Sequence, residues 1–532
     1  MKLPTPHDLG LPAKFDKWRG VQEHALDNLI NAPQRINAAC IPTGGGKSPL
    51  YIGYAIYVGE PTCVVTDSKP LQDQLMGDFG EIGMVDLRGR DNYTCELRPE
   101  YSCENGRAAR CPHIGSVRCP YSHAEMKAAT SSLVVTNYAK WIHAKRLGVG
   151  MGHFQHVIFD EAHKCVDALA SAMQVLLHHK EIEETLEVSF PRYPEFNDIE
   201  VWNSWASMCK SVVHDNIAQY NRKIEDAKEP KPTWVKHVTH MKNLLRRLCV
   251  VATANPDNWV VEEIEGGFQF DPIQPARYGE SMLLLGMPKV TMVSATMVRK
   301  TLHMVGIGRG AWEKRVSGGW ETENYTFREY ASEFNPQDCP IYYIPTQFVD
   351  SKHPDKSMLW VQLDRWLSRR KDRKGIIATI SHARREEIMN NVHRYAQYMI
   401  FNDKGENAAK KVLEFKQAAP PTYFVSPSVT TGYDFPGAEC EFIFICKVPF
   451  EPPSKILQAR KEADREYLGY RAMQTIEQQA GRGARFPGDR CETIIPDRNM
   501  EWFLPQFGHL ASSFFHRRYR VSHAVPNPLP KL

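Results

Sequence analysis

The sequence predicts an α/β protein with a parallel sheet, and two strings in matching contexts carry that prediction. Ile41-Pro42-Thr43-Gly44-Gly45-Gly46-Lys47-Ser48 is a glycine loop ending in Lys-Ser. It lies between the apolar run Asn37-Ala38-Ala39-Cys40-Ile41, which reads as a buried strand, and Tyr51-Ile52-Gly53-Tyr54-Ala55-Ile56, which reads as a helix. Asp160-Glu161-Ala162-His163 follows a second buried strand, His156-Val157-Ile158-Phe159. A loop of the first kind wraps a triphosphate with bare backbone amides at a helix N-terminus. Thr43, Gly44, Gly45 and Gly46 then form the cradle, and Lys47 neutralises the terminal phosphates. Ser48 and Asp160 hold magnesium, and Glu161 polarises a water. A glycine turn or an acidic pair alone says little. In this order and context the two specify nucleoside triphosphate chemistry.

A chain of 532 residues and 60.8 kDa is too long for one core and divides into about three or four domains. The formal charge of +4, from 66 basic and 62 acidic residues, is nearly balanced, so a polyanionic partner must be met by local patches. Met1-Lys2-Leu3-Pro4-Thr5-Pro6 lacks the apolar core of a secretory signal, and no apolar run approaches a membrane span. The expectation is a soluble cytoplasmic protein, at the nucleoid or in a host cytoplasm if the source is prokaryotic or viral. Thirteen cysteines make an odd disulfide framework in a reducing compartment, which turns attention to metal.

Cys95, Cys103, Cys111 and Cys119 recur with seven residues between neighbours, in an arginine- and glycine-rich stretch without apolar periodicity. Such a stretch buries no core of its own, and four thiolates around a metal centre supply the missing stabilisation. Structural zinc usually takes a pair of ligands from a tight C-x2-4-C turn, which is absent here. Wide spacing suits the larger iron–sulfur cube. His113 and His123 lie close by and keep a mixed-ligand zinc site open, as four unrelated buried thiols also remain a reading.

Further motifs follow in a fixed order. Trp18-Arg19-Gly20-Val21-Gln22 precedes the loop, and Lys69-Pro70-Leu71-Gln72-Asp73-Gln74-Leu75 follows the run Val64-Val65-Thr66. Gly89 to Cys95 leads into the cysteine stretch and Cys119-Pro120-Tyr121 leads out, towards the strand-like Leu133-Val134-Val135-Thr136-Asn137-Tyr138. Ser294-Ala295-Thr296, Thr431-Gly432-Tyr433-Asp434-Phe435-Pro436-Gly437 and Gln478-Gln479-Ala480-Gly481-Arg482-Gly483-Ala484-Arg485 complete the series. Arg482 and Arg485, three apart on a helix, face one way and can meet a γ-phosphate across a cleft; a solvated arginine face is the plainer alternative. Over nearly the whole chain, this order resembles the XPD/DinG-like iron–sulfur family of superfamily 2 DNA helicases. Two departures are Ile41, where the general loop pattern has glycine, and Pro49, which a first helical turn tolerates.

The resemblance implies two RecA-like motor lobes with ATP between them. Lobe 1 spans 1–90, 121–170 and 266–320, interrupted by a four-cysteine iron–sulfur domain at 91–120 and a helical arch-like insertion at 171–265. Lobe 2 spans 321–532 and starts after Ser317-Gly318-Gly319-Trp320. Glu229-Pro230-Lys231-Pro232 breaks the insertion into two halves, and a helical decoration with no DNA role is the bland reading of it. The proline-rich tail from Ala524 is expected to be disordered or draped on the surface.

The same resemblance assigns Gln22 to adenine, Gly432 and Asp434 to the nucleotide, and Gln478, Arg482 and Arg485 to the γ-phosphate. The cofactors are then ATP, Mg2+ and a [4Fe-4S] cluster. The expected activity is a DEAH-box DNA helicase that acts as a monomer and moves 5′ to 3′ on single-stranded DNA and at single-strand/duplex junctions, in repair, recombination or replication. Arg90, Arg107, Arg110 and Arg118, with Tyr93 and Tyr121 interleaved, are candidate contacts where duplex splits, against exposed solubilising charge. The competing class is a nucleic-acid-stimulated ATPase that remodels protein or RNA complexes, with a zinc-held binding module.

Overall fold

The computed structural model describes residues 3–146, 151–192, 194–227, 231–308, 310–402, 408–427, 433–484 and 488–531. From the first lobe come β1 (Ile36–Cys40), β2 (Thr62–Thr66), β3 (Val85–Asp86), β4 (Leu133–Asn137) and β5 (His156–Asp160). An insertion supplies β6 (Val175–His178), β7 (Trp259–Ile264) and β8 (Gly267–Pro272), and the first lobe resumes with β9 (Lys289–Ser294), β10 (Lys314–Val316), β11 (Gly319–Glu321) and β12 (Tyr325–Glu329). The nine-stranded sheet runs β10-β11-β12-β1-β9-β5-β2-β4-β3 and is parallel from β12 onward. β1, β2 and β5 are buried at every position, as an apolar run between two helical layers requires.

The second lobe contains β13 (Ile341–Gln347), β14 (Lys374–Ala378), β15 (Met399–Phe401), β16 (Thr422–Ser426), β17 (Phe442–Ile445), β18 (Glu492–Asp497) and β19 (Tyr519–Val521). They form a parallel sheet in the order β15-β16-β14-β17-β18-β13-β19. The lobe division expected at 320 moves downstream, because β10 to β12 belong to the first sheet. The glycine pair at 318 and 319 is the turn of the β10–β11 hairpin, with Gly318 at φ +70°. A hairpin turn and an inter-lobe linker share the same glycine signal.

The second insertion is not helical throughout. Its two long helices, Ile199–Asp226 and Pro232–Ala252, stand on an antiparallel sheet in the order β6-β8-β7, so the insertion extends to Pro272. Val235, Val238, Met241, Leu244, Leu248 and Val251 are buried along one stripe of the second helix, the spacing that packs two antiparallel helices together. Asp198 caps the first helix by accepting from the Glu200 amide, and Pro232 opens the second. Residues 229 and 230 of the expected break lie outside the described residues. At their far ends the helices reach the cysteine module, where Ile224, Val235 and Val238 pack with Cys95 and Tyr101 and Arg110 pairs with Glu225.

Salt bridges join the lobes. Arg471 pairs with Asp167 and, at 2.9 Å, with Glu451, while Lys300 lies 2.9 Å from both Asp464 and Glu466. The proline-rich tail is draped over the second lobe and tied there, with Arg369 donating to Val525 O, Arg373 to Leu529 O and the Leu529 amide to Glu492 Oε1 at 3.1 Å. No described helix is long and apolar enough to cross a membrane.

The Arg370–Glu492 pair, 2.5 Å apart and fully buried, tests the second lobe. Arg370→Leu strands the Glu492 carboxylate in the interior, with an expected loss of about 3–5 kcal/mol by denaturant unfolding. Adding Glu492→Leu restores most of it, because a well-packed apolar pair removes both desolvation costs.

Candidate functional site

The glycine loop leaves the carboxyl end of β1 and enters helix Lys47–Val58. Gly46 closes the turn at φ +64°, and a Cβ there would fall 2.1 Å from Gln22 Nε2. The Gln22 amide donates to Gly46 O at 2.7 Å and accepts from the Arg19 amide at 2.8 Å, so Gln22 holds the loop from behind. Gly45 is packed as closely: its Cβ would meet Ile41 Cγ2 at 2.9 Å and Pro42 O at 3.0 Å. The first amides of the helix therefore open onto a bare concave surface suited to phosphate.

Parallel pairing of β5 with β9 and of β9 with β1 sets Asp160 and Glu161 beside this loop. Glu161 sits in the left-handed region at φ +49°, and its Oε1 lies 2.6 Å from Lys47 Nζ. The buried Asp160 accepts from the Glu161 amide at 3.0 Å and from the Tyr51 hydroxyl at 3.2 Å; that hydroxyl is also 3.4 Å from Ser48 Oγ. Ser48 and Asp160 thus present oxygen donors around one point, which suits a hard cation such as magnesium. Burial pushes the Asp160 carboxyl up to about 6, with Glu161 adding to the shift and Lys47 opposing it. A bound cation would reverse that shift.

His163 completes this end of the site. Its Nδ1 lies 2.7 Å from Ser294 Oγ and 3.3 Å from Glu161 Oε2, and burial brings its pKa down to about 4, so the ring is neutral at neutral pH. Ser294 in turn accepts from the Thr296 amide at 3.3 Å. His163 therefore stands between Glu161 and the Ser294-Ala295-Thr296 string, in contact with both. The sequence displayed both strings, but the contact between them depends on the β5–β9 register.

The lobes face each other across a cleft of about 410 Å³. Lys47, Glu161 and Thr296 line one wall, and Asp434, Gln478 and Arg482 the other. Arg482 donates to Tyr433 O at 2.7 Å and lies 3.8 Å from Asp434. Gly432 and Arg485, the other residues expected here, lie outside the described residues.

Around the cysteines, backbone bonds build a tight fold. The Cys103 amide donates to Tyr93 O, Cys95 to Tyr101 O, Cys111 to Gly106 O and Cys119 to Ser116 O. Cys95, Cys103, Cys111 and Cys119 line one small cavity, with Sγ–Sγ distances of 4.0 Å for Cys95–Cys111 and for Cys103–Cys119. Among the described residues no group of three or more His, Cys, Asp or Glu side chains closes to single-ion distance. The four-sulfur donor set itself suits zinc or an iron–sulfur centre. His113 lines the same cavity, its Nδ1 buried without a hydrogen-bond partner, while His123 Nδ1 lies 3.3 Å from Val117 O.

The basic side chains nearby divide into two groups. Arg90 stacks 4.0 Å over Tyr121, Tyr93 packs edge-on against the same ring, and Arg110 is paired with Glu225. These residues hold the module together. Arg107 and Arg118 are exposed.

Glu477 is a cleft residue that sequence reasoning passed over, since its burial cannot be seen in the motif around it. One of its oxygens accepts from the Ser512 amide at 2.9 Å, and the other is buried without a partner. Burial pushes its carboxyl up to about 7, with Glu329 adding and Ser512 and Arg518 opposing. The unfolded carboxyl ionises near 4.5, so the stability this group contributes is full below that pH and is lost as pH rises through about 7. Glu477→Gln removes the loss. Its Tm relative to the parent is expected to climb from about pH 5 to about pH 8 in thermal melts.

Comparison with known proteins agrees with this geometry. The helicase C-terminal domain family matches residues 365–507, and the family described as type III restriction enzyme, res subunit, matches residues 16–190. No curated protein matches the chain by sequence. An XPD helicase structure is similar with a TM-score of 0.65 at 12% identity, covering 94% of this chain and 98% of that one. S. tokodaii Xpd4 gives 0.60 at 12% identity, covering 95% and 100%, and apo XPD gives 0.57 at 13%, covering 94% and 100%. At these identities the likeness is one of fold. The chain thus carries a helicase C-terminal domain match and a res-subunit match within a fold similar to that of XPD helicases.

Proposed function

We propose that the chain is a DEAH-box DNA helicase that moves 5′ to 3′ on single-stranded DNA and opens duplex at junctions, working as a monomer in the cytoplasm. The observation that carries the ATPase part of this reading is the single cleft shared by Lys47, Glu161, Gln478 and Arg482. Lys47 Nζ pairs with Glu161 Oε1 at 2.6 Å. An arriving γ-phosphate takes over the lysine and frees the Glu161 carboxylate to orient the attacking water and draw off its proton. Ser48 and Asp160 would hold magnesium, which neutralises charge on the β- and γ-phosphates. Arg482 turns from Tyr433 O to the γ-phosphate as the lobes close, with Gln478 beside it and Arg485 in the same role by motif.

Hydrolysis removes the group that draws both walls together, so each turnover opens the cleft and shifts the grip on a single strand. The helix pair capping the cysteine module is the arch of this reading. Four cysteines around one cavity, with seven residues between neighbours, support a structural [4Fe-4S] cluster. His113 in the same cavity favours the competing reading, a zinc-held module on a remodelling ATPase. Repair, recombination and replication all suit such a motor.

Strand separation by anaerobically purified protein, on matched duplexes with a 5′ or a 3′ single-stranded tail, tests the proposal directly. Opening of the 5′-tailed duplex alone is expected, together with cluster absorbance that Cys111→Ser removes. Lys47→Ala should abolish both hydrolysis and opening. Tail-stimulated hydrolysis without opening, in a zinc-loaded protein, would transfer the function to the remodelling class.

A further inference from the structure

The insertion meets the second lobe along one helix, Lys455–Ala463. Glu262 on β7 accepts from the Lys455 amide at 2.9 Å, and Lys455 Nζ donates to Asn197 Oδ1 at 2.6 Å. Further along the same helix, Arg460 donates to Pro272 O at 3.1 Å and lies 3.8 Å from Asp271, at the end of β8. Arg460 also donates to the Tyr467 hydroxyl at 3.1 Å, on the helix Tyr467–Ala480 that leads into Gly481 and Arg482 at the cleft. The same stretch carries Asp464, Glu466 and Arg471, the groups that pair with Lys300 and Asp167 of the first lobe. Beyond this joint the insertion is stiff. The Trp202 ring lies 4.8 and 4.9 Å from those of Phe268 and Phe270, which fixes the helix Ile199–Asp226 on its small sheet. That helix of 28 residues spans about 42 Å, and its far end packs with Cys95 and Tyr101 of the cysteine module.

We infer that Glu262 and Asn197 are positioning residues for strand separation, through which the second lobe moves the cysteine module. The inference rests on the reading of the chain as an ATP-driven motor. When the cleft changes width, the helix Tyr467–Ala480 turns with the second-lobe wall, and Arg460 and Lys455 pass that turn to the base of the insertion. The base is also rooted in the first lobe, between β5 and β9, so the insertion cannot follow the second lobe as a whole and tilts between the two. A small rotation at the base of so long a helix becomes a displacement at its tip, where Glu225 pairs with Arg110 of the module. The route consists of packed side chains and rigid helices, and the element with two arrangements is the cleft itself.

Hydrogen–deuterium exchange read by mass spectrometry tests this on the anaerobically purified full chain, with and without a non-hydrolysable ATP analogue and Mg2+. In the parent, nucleotide should slow exchange in the glycine loop and change it in peptides spanning Cys95 to Cys119. A variant carrying both Asn197→Ala and Glu262→Ala should keep the first response and lose the second, with strand separation per ATP hydrolysed falling while kcat and KM for ATP hold. Neither residue is buried, and Ser454 still caps the helix Lys455–Ala463 by accepting from the Leu457 amide. Glu262→Gln alone, whose amide oxygen accepts from the Lys455 amide as the carboxylate does, should retain both responses. A module response that survives in the double variant overturns the inference, as does a parent whose loop is protected while its module is unchanged. Absence of loop protection in the parent overturns the ATP-site reading and this inference with it.

Discussion

The ion pair between Lys47 and Glu161 sets the terms for the rest of the molecule. A lysine on the first turn of one helix can touch a carboxylate just beyond a strand 114 positions later only if the two crossovers end at the same edge of one sheet. The order β1-β9-β5, all parallel, meets that condition. Everything between β5 and β9, including both long helices and the sheet β6-β8-β7, must leave and return at neighbouring points. The insertion also bears on the second lobe, where the Lys455 amide donates to Glu262 Oε1 at 2.9 Å and Arg460 donates to Pro272 O at 3.1 Å.

Charge balance then explains why the cleft needs two lobes. The first lobe gathers Asp160, Glu161 and Lys47 within a few ångströms, and two of these three groups are acidic. Across the gap, Arg482 brings positive charge to the opposite wall. The inter-lobe salt bridges of Arg471 and Lys300 add further contacts between the lobes, and neither residue lines that gap.

Much of this was legible in the chain. Strings in which neighbouring residues act together, such as the glycine loop and the Asp160-Glu161 pair, keep their meaning in one dimension, because local geometry does most of the positioning. What lay hidden depends on register or burial. The 2.7 Å contact of His163 with Ser294 joins residues 131 apart, and Glu477 becomes notable only because the second lobe closes over it. Gly318 and Gly319 misled for a different reason: glycine marks a turn, and nothing in it says which sheet the turn serves. The strands β6 to β8 were masked by the helical pattern around them, and the draped tail is held by arginine side chains that show no periodicity.

The position of β1 has a consequence for how the molecule is made. Its two partners in the sheet are β9 and β12, which begin at residues 289 and 325. A ribosome therefore exposes the apolar strand Ile36–Cys40 long before either neighbour exists, and the glycine loop has no floor until most of the first lobe has been synthesised. Non-local parallel pairing is slow even in a finished chain. During translation it would leave β1 as a long-lived client for chaperones, so the segment most essential to the motor is also the one that waits longest to fold.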